Sequence, residues 1–159
     1  MEYEITSNKS CSASYDNIHN NILRDDVAAV YINNLSKNMA LTESSFYNCI
    51  ITGARQNNIV VATPLLDYYT GSFVGNFMRT DSLPEVFAHN TVYATDSDSV
   101  VFRNIYYKLN EYRYYDYRLD SLSAARGVGD SVVAISYPYD RLGQRRKSRP
   151  DAGCYEYVQ

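Results

Sequence analysis

Short runs of β-branched and aromatic residues, each bounded by Asn, Asp, Ser or Gly, constrain this chain more than any other feature. They fall at 21–23, 27–32, 46–51, 59–62, 73–78, 86–93 and 100–107. Each run is strand length with turn chemistry at both ends. Long amphipathic helical patterns are nearly absent. The best helix candidate, 121–126, spans about two turns before Gly127 and Gly129 interrupt it. The pattern predicts an all-β chain of many short strands.

A second pattern lies over the first. An Asn followed within one or two positions by a pair of apolar residues recurs at Asn20, Asn48 and Asn90, with weaker copies at Asn76 and Asn104. Asn20, Asn48, Asn76 and Asn104 stand 28 residues apart, and Asn90 falls midway between two of them. Stacked parallel strands lay like residues on like, so Asn side chains ladder at the turns while aliphatics fill the interior. A meander would instead need hairpin turns such as Asn-Gly or Asp-Gly, and neither dipeptide occurs. The expectation is a solenoid of a few coils over 1–107, with a loop inserted near 63–72. Residues 108–159 are expected to form a capping segment of the same domain.

Composition narrows the function classes. A chain of 159 residues, 45% apolar and 21% charged, makes one domain with a core. A net charge of −3 lacks the broad basic footprint of a nucleic-acid binder, so no nucleic-acid partner is expected. Apolar stretches are only a few residues long, far below the ~20 of a membrane span. Cys11, Cys49 and Cys154 form no C-x-x-C pair and have no His at ligand spacing, so neither a disulfide framework nor zinc is indicated. Cys49, inside an apolar run, reads as a buried reduced thiol. No metal or cofactor is expected. Residues 1–5 lack the basic and apolar regions of a signal peptide, so the chain reads as cytoplasmic or as a trimmed piece of something larger.

Past Tyr107 the character changes. Tyr117 and Leu119 are followed by Ser123, Ala125 and Gly127 or Gly129, then by Asp140, Gly143 and Arg146. Pro150, Asp151, Gly153, Tyr155 and Glu156 complete the order. It resembles the closing pattern of secreted bacterial right-handed parallel β-helix proteins, a group related to polysaccharide lyases: Y-x-L, S-P-A with a Gly, D-x-x-G-x-x-R, then P-D-I-G-A-Y-E. Ala124 stands where the pattern has Pro, and Cys154 where it has Ala. The resemblance implies a right-handed parallel β-helix with a C-terminal cap and an extracytoplasmic location. It also implies a longer parent chain whose N-terminal coils would be a partner of this one.

Candidate chemistry is sparse. Arg24, Arg55 and Arg79 follow apolar pairs at comparable points. Stacked on one face they could hold carboxylates of an acidic polysaccharide through bidentate hydrogen bonds. Exposed charges pairing with Asp25 and Asp81 explain the same residues without a ligand. His19 and His89 each precede an Asn at the same position of the pattern; a ligand or acid–base role is open to them, but with no carboxylate partner in the motif they read as turn or strand-face residues. Tyr106, Tyr107, Tyr112, Tyr114, Tyr115 and Tyr117 read as amphipathic rings sealing an end, or as a sugar-stacking platform. The basic run Arg141, Arg145, Arg146, Lys147 and Arg149 reads as a solvated loop. No nucleophile–base order appears, and no residue is assigned a catalytic role. The leading expectation is a non-catalytic, glycan-contacting module. The alternative is a β-helix polysaccharide lyase or glycoside hydrolase.

Overall fold

Twelve short strands and one short helix make up the regular structure of the residues described by the computed structural model. These residues are 3–5, 11–14, 17–19, 30–33, 41–53, 57–62, 69–80, 89–93, 101–104 and 116–159. The order is β1 (Tyr3–Ile5), β2 (Cys11–Ser14), β3 (Asn17–His19), β4 (Val30–Asn33), β5 (Leu41–Tyr47), β6 (Ile50–Thr52) and β7 (Ile59–Ala62). Then come β8 (Tyr69–Val74), β9 (Phe77–Arg79), β10 (Thr91–Tyr93), β11 (Phe102–Asn104), β12 (Asp116–Leu119) and α1 (Ser131–Ser136). The fold is all-β.

The pairing follows one rule. Strands β1, β2 and β3 pair in parallel with β4, β5 and β6, which pair in parallel with β7, β8 and β9. Strand β10 extends the last sheet beside β9. A parallel neighbour lies beyond the reach of a tight hairpin, which accounts for the missing Asn-Gly and Asp-Gly turns. Phe46 lies beside Phe73 and Ile50 beside Phe77, both 27 residues on, whereas Phe77 lies beside Thr91 after only 14. Like residues meet at this register: the Phe46 and Phe73 rings stack at 4.8 Å between centroids, both buried. Such a stack adds about 0.5–1.5 kcal/mol beyond its burial.

Strands β6 and β9 are buried at every position, Thr52 and Arg79 included. Side chains alternate along a strand, so both faces of this sheet must be covered. One cover is the C-terminal segment. Ile50 and Phe77 share a cluster with Val101, Phe102, Leu119, Ala125 and Ala152. Phe102 meets Tyr117 edge-on at 5.3 Å, across the antiparallel pair β11–β12.

Several expectations change in detail. The runs 46–51 and 73–78 are not single strands, because each holds a corner, at Asn48–Cys49 and Gly75–Asn76. The loop expected near 63–72 is strand from Tyr69 onward, and 63–68 lie outside the described residues. Residues 121–126 form turns because Asp120 accepts from the Leu122 backbone N–H at 2.9 Å and from Ser123 N at 3.1 Å. The helix comes later, where the Asp130 carboxylate caps α1 by accepting from Val132 N and Val133 N. Residues 21–23 and five of the six clustered tyrosines, Tyr117 excepted, lie outside the described residues. Among the described residues no helix is long and apolar enough to cross a membrane.

Candidate functional site

The register of β6, β9 and β10 aligns three left-handed residues at one corner: Asn48 (φ 52°), Gly75 (φ 69°) and His89 (φ 68°). Gly, Asn and His are among the residues that enter this region most readily. The next position holds Cys49, Asn76 and Asn90, and here a ladder forms. Asn90 Oδ1 accepts from the Asn76 side-chain amide at 2.8 Å and from Asn76 N at 3.0 Å. Asn76 Oδ1 accepts from Cys49 N at 2.8 Å, and its amide donates to the Phe46 carbonyl. The laddering Asn is therefore the residue after the corner. Asn48 and Asn76 are one position out of register despite their 28-residue spacing. His19 pairs with Thr52 in the strand, whereas His89 sits at the corner, so the two histidines are not equivalent positions.

Asn48 does different work. Its side-chain amide donates to the Asp130 carbonyl at 3.0 Å and its Oδ1 accepts from Asp130 N at 2.5 Å. Its own carbonyl accepts from Gly153 N at 2.7 Å. One buried Asn thus fastens the C-terminal segment to the corner.

Asp140, Arg146, Asp151 and Glu156 fold into a buried charged knot at the other end of these contacts. Arg146 pairs with Glu156 at 3.2 Å, their side chains 2% and 1% exposed, and donates to the Asp151 and Gly153 carbonyls. Asp140 Oδ1 accepts from Leu142 N and Gln144 N, and its Oδ2 from Glu156 N. Asp151 accepts from Gly127 N and Tyr157 N, one on each oxygen. Glu156 Oε1 also accepts from Asp151 N. Lys147 reaches in from the surface, 3.6 Å from Asp151 and 3.7 Å from Glu156. Gly127, Asp140, Arg146, Asp151, Gly153 and Glu156 thus each meet another of their number, although they are scattered over 30 positions of chain.

Burial pushes the Glu156 carboxyl above its ordinary range, and the neighbouring Asp151 charge adds to this. The Asp151 N–H, Arg146 and Lys147 oppose the shift without cancelling it. A folded state that holds this proton more tightly than the unfolded chain gains stability below the unfolded value of about 4.3. The gain is lost as pH rises through the raised folded value. Asp116 works the other way: its hydrogen bonds from Arg118 hold its carboxyl low, so its contribution is lost on acidification. Thermal melts of the wild type and Glu156→Gln across this window should diverge. The wild type should lose stability relative to the variant as pH rises from below the unfolded value through the raised folded one. Parallel profiles would show that Glu156 does not titrate in the window.

The three arginines expected on one face do not supply one among the described residues. Arg24 and Arg55 lie outside them. Arg79 is buried at 4% exposure and donates through Nη1 to the Gly53 carbonyl at 2.5 Å. Cys49 is a buried thiol outside any disulfide, as its apolar run implies, and its Sγ donates to the Tyr47 carbonyl at 3.3 Å. The accessible cations are elsewhere. Residues 117–159 carry seven Lys or Arg against five Asp or Glu. Three of those acids, Asp140, Asp151 and Glu156, are buried, while Arg126, Arg141, Arg145, Lys147 and Arg149 are exposed. The sequence names this basic run, but its surface excess follows only once the acids are seen inside the knot. The segment 145–149 walls two grooves, of about 470 and 720 Å³. No family model, curated protein or solved structure matches the chain.

Proposed function

We propose that this chain is a short right-handed parallel β-helix closed by its C-terminal segment. It serves as the non-catalytic C-terminal part of an exported bacterial surface or secreted protein and contacts glycans. The observation that carries the reading is the parallel pairing of every third strand, with the left-handed corners Asn48, Gly75 and His89 in register. The right hand is the one that parallel crossover connections adopt in about 98% of cases. Kinship with exported β-helix proteins rests on the resemblance of the closing motif, as does the extracytoplasmic location. Further coils of a longer chain are the structural partner this reading names, and polysaccharide is the ligand.

Two features support a closing role over a catalytic one. Both oxygens of Asp140 and of Asp151 are occupied by backbone N–H groups, which leaves neither as a free acid or base. Glu156 is buried against Arg146. Presenting the full chain to a glycan array should give binding to a subset of glycans. Incubation with acidic polysaccharides should release no unsaturated uronate, read by ultraviolet absorbance. Release of that product would replace this reading with the β-helix lyase alternative, and an array without binding would remove the glycan.

A further inference from the structure

The exposed face of the C-terminal segment combines protruding aliphatic side chains with cations. Leu122 and Ile135 are each 79% exposed, among the most solvent-exposed large apolar side chains of the described residues. Each lies in a groove with exposed cations. Leu122 lines one with Arg126, Lys147 and Arg149, and Ile135 lines the other with Arg145 and Lys147. Lys147 lines both, so the two grooves adjoin at this side chain. Helix α1, which carries Ile135, buries none of its residues although its sequence is Ser-Val-Val-Ala-Ile-Ser. Val132 beside it is 70% exposed.

We propose that this face docks onto an anionic lipid surface. The cations supply the attraction to acidic headgroups, and Leu122, Val132 and Ile135 enter the headgroup–acyl boundary. Charge complementarity selects the occupant: three of the five carboxylates of 117–159 are buried in the knot and the other two are half-buried, whereas six of its seven cations are exposed, so cations predominate on the outward side. A soluble polyanion would engage the arginines but gives the protruding aliphatics nothing to bury. A lipid surface uses both, since peripheral attachment scales with inserted apolar area plus attraction to anionic headgroups. This is attachment to a surface and involves no spanning helix.

The test is co-sedimentation of the full chain with vesicles of phosphatidylcholine alone and of phosphatidylcholine mixed with phosphatidylglycerol. Binding is expected only to the mixed vesicles and should weaken as salt is raised. Arg145→Gln with Arg149→Gln should weaken it about fivefold per cation removed. Leu122→Ser with Ile135→Ser should weaken it at least about tenfold. All four side chains are exposed, so both variants should melt with the parent protein. Absence of binding to the mixed vesicles, or equal binding to both kinds, overturns the proposal. So does full retention by the Leu122→Ser, Ile135→Ser variant with competition by soluble polygalacturonate, which would assign the face to a polyanion.

Discussion

Replacing Arg146 with alanine should remove about 3–5 kcal/mol of stability, the cost of leaving one member of a buried ion pair alone. Glu156, already raised by burial, would lose its nearest cation, and the Asp151 and Gly153 carbonyls would each lose a donor. Against the 5–15 kcal/mol that holds a domain of this kind together, that is a large fraction. Equilibrium unfolding in urea would read it directly. Arg146→Lys should recover only part of the loss, because a compact ammonium cannot bridge a carboxylate and two carbonyls as a planar guanidinium does. Adding Glu156→Gln to Arg146→Ala should cost less than the two single effects added together, by about 1–3 kcal/mol. Strict additivity would mean that the two groups do not act as a pair.

Gly75→Ala should be comparably damaging for a different reason. At φ +69° an alanine pays about 1–2 kcal/mol for the left-handed conformation. Its Cβ would also lie 2.1 Å from Asn48 Oδ1 and 2.5 Å from the Asp130 backbone nitrogen. The second contact is backbone, held in place by Asn48, so relief requires the C-terminal segment to move. Overpacking of this kind costs about a further 1–3 kcal/mol. Gly75→Asn separates the two causes, since Asn accepts the left-handed region but still carries a Cβ. It should remain nearly as unstable as Gly75→Ala, whereas Gly143→Asn, at φ +77° with open space around it, should unfold close to the wild type. A stable Gly75→Asn protein would show that conformation alone, and not the close approach, makes glycine necessary there.

The strand character of the chain was legible because it is local. The 59–62 run matches β7 residue for residue, and the absence of hairpin dipeptides anticipated the parallel pairing. The order Asp140, Arg146, Asp151, Glu156 was visible as a pattern, and these residues gather in one knot: Arg146 pairs with Glu156 and donates to the Asp151 carbonyl, while Asp140 and Asp151 accept from backbone N–H groups. What could not be read depends on contacts across long separations. The corner is filled by Asn48, Gly75 and His89, three residue types that share only a tolerance for positive φ. Counting asparagines therefore gave a uniform 28-residue step, whereas paired residues stand 27 (Ile50 and Phe77), 29 (Val30 and Ile59), 33 (Asn17 and Ile50) or 14 (Phe77 and Thr91) apart. Arg79 looked like a surface cation because nothing near it in sequence announces that its strand is buried at every position. Ile50 and Phe77, on that same sheet, owe their burial to residues as distant as Ala152.

The fastening at Asn48 also has a temporal side. Its partners Asp130 and Gly153 lie 82 residues or more further along the chain. At about 5–20 residues per second of synthesis, Asp130 is made roughly 4–16 s after Asn48. During that interval the bonds of Asn48 to Asp130 and Gly153 are not yet made, and Ile50 has no cover from the C-terminal segment. A later-made segment thus completes the order of one of the earlier corners, and a nascent chain halted before Asp130 would lack that fastening.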